Sequence, residues 1–298
     1  MKQFVKAHFY KIVIILTIGV LFSATALGSY YLNKKYHGQM EDGLVNNFFA
    51  PAQILRAESI AMVLKDQTEK IWSVLKTAAE YQSLQNMTGA CNPEQDAIVN
   101  TVRIALADAA DYVALINKSG RVVCSTDKEL EGKDVSAFPH IQEILETRRP
   151  IISRLFMNPV GKRVVAMAVP LFSNKGDFVG VLGTAIDIKN FENKLTEDFK
   201  STPSAYNTLN DDDGTILYHP NPYFVGENVF GEKMQKETGG NIDLNNMWKK
   251  MLLGKTGHDF YIFSGKEKVA GYAPVKLLDG NRFWSVAATA EIKEYSWL

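Results

Sequence analysis

One phrase of this sequence occurs twice, and the two copies lie 94 residues apart. Residues 120–135 read GRVVCSTDKELEGKDV, and residues 214–229 read GTILYHPNPYFVGENV. Gly120 aligns with Gly214, and a second glycine and a closing valine also coincide. Because a fixed internal spacing indicates a repeated structural unit, the chain is expected to contain the same fold unit twice.

Each unit is predicted to contain a small antiparallel sheet, which gives an α+β fold class. Runs of β-branched and apolar residues, separated by turn residues, predict the strands. The last three strands of the first unit are joined by tight turns and should pair as an antiparallel meander, after a short amphipathic helix, HIQEILETR. The predicted strands of the first unit are 112–117, 121–126, 151–157, 163–172 and 178–188, and the second unit repeats their order between 206 and 290.

Residues 12–32 contain no charged side chain, and these 21 residues are long enough to cross a bilayer as a helix. Three lysines precede the segment, which favours a cytoplasmic N-terminus over residues 1–11, although two lysines also follow it. The alternative is a cleaved signal peptide, because Ala24-Thr25-Ala26 resembles a cleavage site. The apolar run continues past that site, which favours an uncleaved anchor. Both interpretations place the rest of the chain outside the cytoplasm.

Residues 33–88 are predicted to form one long helix. Large apolar residues recur at helical spacing over 38–88, and charged residues fill the other faces. Pro51 marks a helix start or a kink. Such a helix can support a globular domain and can also pair with a second copy, so a homodimer through residues 38–88 is expected.

Composition argues against a nucleic-acid partner and leaves open whether the two cysteines form a disulfide. The 33 basic and 33 acidic side chains give no net charge, which argues against nucleic acid as a partner. The two cysteines, Cys91 and Cys124, could pair in an exported domain if the helix after Cys91 packs on the strand of Cys124. The alternative is two reduced, buried thiols.

No motif predicts a catalytic, metal or cofactor site. The sequence lacks a nucleophile elbow, a phosphate-binding loop and a metalloprotease helix, and its five histidines show no metal-ligand spacing. The run Asp211-Asp212-Asp213-Gly214 resembles a calcium loop, but Leu209 and Pro220 would take its first and last ligand positions. A hairpin turn is therefore predicted there.

The anchor, the long helix and the two units in tandem resemble the double Cache sensor domain of chemoreceptors, sensor histidine kinases and cyclic-dinucleotide enzymes. The resemblance covers about 38–295 and is carried by SGRVVCSTDKELEGKDVS, GDFVGVLGTAIDI and DGTILYHPNPYFVGENV. It implies two PAS-like modules, a membrane-distal one at 89–190 and a membrane-proximal one at 191–292. It also implies that residues 293–298 begin a second transmembrane segment and that an output domain is missing.

The same resemblance implies a ligand pocket in the membrane-distal module. The family arginine that grips an amino-acid carboxylate is absent, because its motif falls on Phe138-Pro139-His140-Ile141. The family's pocket tyrosine and aspartate fall on Phe156 and Asn158, and Asp187 matches the acidic residue that receives a ligand amine. The resemblance therefore argues against an α-amino acid bound in the usual way.

The residues themselves leave alternatives open. Asp187 could contact a ligand ammonium or cap the helix predicted at 190–200. Phe138, His140 and Phe156 could form an aromatic wall or ordinary packing. Arg154 lies two residues before Phe156, so on one strand the two would share a face, and Arg154 would supply a cation if that face is the pocket.

Two functions from different classes follow. The first is a sensor in the cytoplasmic membrane whose extracytoplasmic domain binds a small molecule, amine-bearing if Asp187 contacts it, or a periplasmic binding protein. The second is a structural, adhesive or partner-binding exported protein that uses the same fold without a small ligand. A cavity at the predicted residues would favour the first, and a side-chain-filled core would favour the second.

Overall fold

The computed structural model describes residues 43–87, 89–188, 201–277, 280 and 282–295. The predicted anchor at 12–32 and the predicted helix at 190–200 lie outside these residues. Within the described ranges, no helix combines the length and the apolar character that a membrane crossing needs.

The long helix α1 spans Ala50–Ala79 and follows a π-helical turn at Val45–Phe49. Pro51 is the second residue of α1, and its missing N–H falls where the π-helical turn passes into the α-helix. The predicted continuation to residue 88 is wrong, because Tyr81 is extended and only a short helix, α2 at Gln82–Gln85, follows. At 30 residues, α1 is about 45 Å long and packs against strands of both sheets.

The first module has the sheet order β2-β1-β6-β5-β3, and β4 also pairs with β5. The predicted antiparallel pairing of its last strands is confirmed. Helix α3 (Pro93–Leu106) lies beside α1, and helix α4 (Pro139–Thr147) contacts the sheet at β3, β5 and β6. The strands are β1 Tyr112–Asn117, β2 Val122–Ser125, β3 Ile151–Ile152, β4 Phe156–Met157, β5 Arg163–Phe172 and β6 Phe178–Ile186.

The single strand predicted over 151–157 is wrong, since β3 and β4 are separate. The hydroxyl oxygen of Ser153 accepts the backbone N–H of Ala166 at 2.8 Å. The Ser153 hydroxyl also donates to the carbonyl of Arg154 at 2.7 Å. The Ser153 hydroxyl thus takes the place of a backbone carbonyl in the hydrogen bonding between the two strands. The chain leaves the sheet after this point and returns at Phe156.

The second module repeats the first in topology, with the order β8-β7-β11-β10-β9. The irregular pairing in the β1–β2 hairpin falls between Leu115 and Ile116, and in the β7–β8 hairpin it falls 94 residues later. The prediction of a repeated unit is thus confirmed down to the register. The elements are β7 Tyr206–Asp211, β8 Ile216–Tyr218, α5 Glu232–Glu237, α6 Ile242–Leu252, β9 Gly257–Phe263, β10 Lys266–Lys276 and β11 Phe283–Glu291.

The repeated glycines have a conformational role. Gly120 and Gly214 have φ angles of 80° and 88°, in the left-handed region that favours glycine. A Cβ on Gly120 would also overlap the backbone of Ser136. The shared phrase in the sequence therefore records a tight turn that only glycine fits in both modules.

A disulfide joins Cys91 to Cys124, with the two Cα atoms 5.2 Å apart. The bond ties the chain just before α3 to strand β2. Of the two interpretations that the sequence left open, the structure therefore has the bonded pair. Asn92 caps α3 next to the bond, and its side chain accepts the N–H of Gln95 at 2.9 Å.

Charged side chains connect the two modules at a site that we call the arginine–aspartate junction, formed by Arg154, Asp211, Asp212 and Arg282. Arg282 binds both carboxylate oxygens of Asp211, at 2.7 and 2.6 Å, and donates to the carbonyl of Ile152 at 2.5 Å. Arg154 contacts Asp211 at 2.8 Å and also binds Asp212. The predicted hairpin turn at 211–214 is therefore also an intermodule contact.

Candidate functional site

A cavity of about 50 Å³ lies in the first module, between one face of its sheet and the segment that includes α4. We call it the first cavity. A single buried water needs about 10–15 Å³ on the same measure, so the space holds only a few water molecules. Its lining includes Tyr112, Phe138, His140, Ile141, Phe156 and Thr184.

Three rings predicted from the sequence meet at this cavity. The centroids of His140 and Phe156 are 4.3 Å apart, and Phe138 lies 5.4 Å from Phe156 and 5.8 Å from His140. Phe138 precedes the helix start at Pro139 and is extended, as the residue before a proline prefers. The Phe-Pro-His sequence thus places two rings at the start of α4, where they meet the ring of Phe156 on β4.

The imidazole of His140 is neutral near pH 7. Burial lowers its pKa to about 4, and only 8% of the residue is exposed. A charged imidazolium would lose its hydration in this aromatic surrounding without a compensating partner. His140 can therefore contribute stacking and a neutral hydrogen-bonding edge to a ligand, and it does not supply a cation.

This shift makes the stability pH-dependent. The folded pKa of about 4 lies below the ordinary value of 6.5, so the unfolded chain binds a proton that the folded chain does not. The free energy of unfolding should fall as the pH drops from about 6.5 towards 4, by about 2.5 kcal/mol at pH 4.5 from this residue. His140→Gln should reduce the difference between urea titrations at pH 7.5 and pH 4.5 by that amount. An unchanged difference would contradict the assignment.

Asn158 lies beside the cavity but holds a turn. Its side-chain oxygen accepts the N–H groups of Val160 at 3.1 Å and Lys162 at 2.8 Å. Burial raises the pKa of Tyr112 to about 12, and the nearby Asn158 amide opposes that shift. Asn158 therefore holds the turn that carries its neighbour Pro159, which borders the cavity.

Arg154 lies outside the first cavity. The predicted shared face with Phe156 fails because the strand is interrupted between the two residues. The guanidinium instead binds Asp211 and Asp212 of the second module. Arg154 thus lies two residues before Phe156, whose ring borders the cavity, and it forms ion pairs with the second module.

Asp187 follows the last residue of β6 and does not border the first cavity, although Ala185 does. The hydrogen bonds that Lys162 donates to the Asp111 carboxylate raise the pKa of Lys162, and the charge of Asp187 makes a smaller contribution. The helix that Asp187 was predicted to cap lies outside the described residues. Asp187 therefore belongs to a charged group at the end of the sheet near the cavity. Among the described residues that border the cavity, none has a charged side chain.

A second cavity, of about 40 Å³, lies at the corresponding place in the second module. The sequence reasoning missed it, although the repeat could have located it. Shifting lining positions 112, 114, 116, 122, 130 and 135 of the first cavity by 94 residues gives six positions that all border the second. We call it the second cavity.

Comparison with known families identifies the architecture. A model of the Cache domain, in its double form, matches residues 47–296. The chain belongs to the Cache domain family. No curated protein matches the chain.

Solved structures of Cache-like sensor domains share the fold. The periplasmic sensory domain of the Campylobacter jejuni chemoreceptor Tlp1 matches with a TM-score of 0.63 and 19% identity, over 84% of this chain and 97% of that one. The ligand-binding domain of the Pseudomonas aeruginosa chemoreceptor PctB with L-Gln has a TM-score of 0.60 and 18% identity, over 83% and 93%. An extracellular ligand binding receptor from Desulfohalobium retbaense has a TM-score of 0.63 and 19% identity, over 78% of this chain and 39% of that one.

Proposed function

We propose that this Cache domain chain is the extracytoplasmic sensor of a membrane-anchored signal transducer and binds a small molecule in the first cavity. The observation that carries the proposal is the preformed aromatic cavity of the first module, at the place where Phe138, His140 and Phe156 meet. Ligand pockets are characteristically concave and mostly apolar, with a few polar groups that orient the ligand. The similar solved structures, which are a chemoreceptor sensory domain and a chemoreceptor ligand-binding domain, support the same function.

The lining of the first cavity favours an uncharged, mainly apolar ligand. The described residues that border it include several rings and aliphatic side chains, and the Thr184 hydroxyl already donates to the carbonyl of Tyr112 at 2.7 Å. A buried ligand charge would be costly without a counter-charge in the lining. An amine would need to reach Asp187 at the end of the sheet, so amine binding is an outcome that the test below distinguishes.

Binding in the first cavity has a physical route to the second module. A ligand larger than a few waters must displace the segment that carries Phe156, because that ring occupies the wall. Arg154 lies in the same segment and is held by Asp211 and Asp212. A displacement of this segment would therefore act on the arginine–aspartate junction, and the ligand would favour one of two arrangements if it binds that arrangement more tightly.

The ends of the described chain suggest how the signal leaves the domain. Phe49 and Ala50 at the start of α1 pack in one cluster with Ala290 of β11, and Ile292 packs against it. The chain therefore enters and leaves the domain at one end of the second module. With the anchor predicted at 12–32, this arrangement favours the second module as the membrane-proximal one and the cytoplasmic membrane as the location. Pairing of two chains through 38–88 remains part of the proposal.

A thermal-shift screen of the protein in detergent tests the ligand. The compounds are neutral aromatics, amines, quaternary ammonium compounds, carboxylates and amino acids. A ligand at 100 times its Kd should raise the free energy of unfolding by about 2.7 kcal/mol. Phe156→Ala should weaken binding at least tenfold by removing one wall of the cavity, whereas Phe172→Ala, an exposed ring on β5, should leave the Kd within twofold.

The variants separate the alternatives. A ligand whose affinity is unaffected by Phe156→Ala does not bind in the first cavity. Loss of an amine hit in Asp187→Asn would show that the ligand reaches the end of the sheet. A folded protein that binds none of these classes would favour the structural or partner-binding function, with a periplasmic binding protein as the next partner to test.

A further inference from the structure

The second cavity differs chemically from the first at equivalent positions of the repeat. Ala114 and Ile116 of β1 border the first cavity, and Thr208 and Asn210 take their places on β7 at the second. An apolar pair is thus replaced by two polar side chains in the same pleat of the sheet. This replacement is costly inside a protein unless the new polar groups have partners.

Asn210 is the decisive residue. It is 2% exposed, it borders the second cavity, and its side-chain amide has no hydrogen-bond partner among the described residues. Buried side-chain amides are normally hydrogen-bonded. An unpaired amide beside a cavity therefore indicates that its hydrogen-bond partner is a molecule that enters the cavity. Its oxygen accepts and its nitrogen donates, so it matches a partner that offers an acceptor and a donor side by side.

His219 adds a donor to the same cavity. Its Nδ1 atom accepts the N–H of Asn221 at 2.9 Å, and burial lowers its pKa to about 4. The ring is therefore neutral near pH 7 and carries its proton on Nε2, which no described residue hydrogen-bonds. The ring lies 4.9 Å from Phe224 and 5.7 Å from Tyr206, so its orientation is fixed by packing.

The second cavity is uncharged in the described part of its lining. Burial raises the pKa values of Tyr206 and Tyr261, which keeps both hydroxyls neutral. The ammonium of Lys268 contacts two residues of the lining, since it lies 3.5 Å from the Tyr206 hydroxyl and 5.7 Å from the centre of the Phe263 ring, but Lys268 itself does not border the cavity. An ionic ligand would therefore lose its hydration without meeting an opposite charge in the lining.

We propose that the second module binds a small neutral planar amide or lactam, with the Asn210 amide and the His219 Nε2–H as its polar contacts. Rings and methionines complete the walls, and Trp248 of α6 lies among them. The cavity of about 40 Å³ limits the ligand to about four to six heavy atoms unless α5 and α6 move. A ligand of that size binds no tighter than about micromolar. This site is independent of the ligand proposed for the first cavity.

Three compounds of similar size and different charge test the proposal: propionamide, propionate and propylammonium. Trp248 borders the cavity, so its fluorescence reports occupancy directly. Titration of the full chain in detergent should give a saturable change with propionamide, and at least tenfold weaker binding of both ions. In a Trp248→Phe variant the fluorescence change should disappear while binding by calorimetry persists.

Variants locate the site. Asn210→Leu keeps the side-chain size and should weaken propionamide binding at least tenfold, whereas Asn100→Leu, on the exposed face of α3, should leave it within twofold. His219→Phe should weaken binding about fivefold, and His219→Gln should restore part of it through its own N–H group. Phe156→Ala should have no effect, which separates this site from the first cavity.

Several outcomes would overturn the proposal. The wild-type chain could show no saturable response to propionamide up to 100 mM, which would mean that only water meets the Asn210 amide. Propionate could bind as tightly as propionamide, which would contradict the argument from charge. Equal binding by a folded Asn210→Leu variant would place the compound elsewhere. Because the wild-type series alone decides the first two outcomes, misfolding of a variant does not leave the proposal untested.

Discussion

Replacing Arg282 by methionine is expected to lower the free energy of unfolding by about 3–5 kcal/mol. Arg282 holds both oxygens of the Asp211 carboxylate and the carbonyl of Ile152. Asp211 is fully buried, so loss of Arg282 leaves a buried carboxylate whose remaining arginine partner in the junction, Arg154, has a side chain that is 46% exposed. The cost of the uncompensated carboxylate is much larger than the worth of an exposed ion pair.

The loss of unfolding free energy caused by Arg282→Met should depend on pH. Burial raises the pKa of Asp211, while Arg282 and Arg154 oppose the shift. In Arg282→Met the opposing effect is weaker, so the folded pKa rises further above the unfolded value of about 3.9. A group of this kind destabilises the fold increasingly as the pH rises above its unfolded pKa. The difference between wild type and variant should therefore be largest near pH 7 and should shrink towards pH 4.

Urea titrations followed by tryptophan fluorescence measure this effect. Lys266→Met is the matched control, because the Lys266–Glu291 pair is 2.7 Å long and its lysine is 59% exposed, so its loss should leave the free energy of unfolding nearly unchanged. Combining Arg282→Met with Asp211→Asn removes the buried charge and should recover most of the loss. A cost below 1 kcal/mol for Arg282→Met, or no recovery in the double variant, would show that the junction does not carry stability.

The features that the sequence predicted correctly are those that leave a local or periodic pattern. The resemblance to the double Cache domain implied a pocket at Phe138, His140 and Phe156, whose rings border the first cavity. Strand alternation, turn glycines and the 94-residue repeat predicted the two antiparallel sheets. Each of these signals lies within one element or in the offset between two copies. The repeat also predicts where the second cavity lies, because lining positions of the first cavity shifted by 94 residues border the second.

The features that were missed depend on contacts between distant residues. Arg154 bonds Asp211, which is 57 positions away, and nothing in the spacing of either charge indicates the other. The break before Phe156 depends on one hydroxyl, on Ser153, which takes a backbone N–H of the neighbouring strand. Apolar periodicity predicts a strand through such a site, because the pattern carries no information about which atoms form the hydrogen bonds between neighbouring strands. The predicted ligand role of Arg154 failed for this reason.

Reduction of the Cys91–Cys124 bond is expected to lower the free energy of unfolding by about 3.7 kcal/mol, because the bond closes a loop of 33 residues in the unfolded chain. The effect should be confined to the first module. In the second copy of the repeat Tyr218 takes the place of Cys124, and the chain has only two cysteines. The bond holds α3 against β2, and Val122 of β2 borders the first cavity.

The local character of this effect makes it a sharp measurement. Hydrogen exchange of the wild-type chain with and without a phosphine reductant should show lost protection in α3, β1 and β2, while the amides of β9, β10 and β11 stay protected. A variant with alanine at positions 91 and 124 should show the weakened pattern already and should not respond to the reductant. Uniform loss of protection in both modules would mean that the two modules unfold as one unit. The affinity of the first cavity for its ligand would then also depend on the arginine–aspartate junction that connects them.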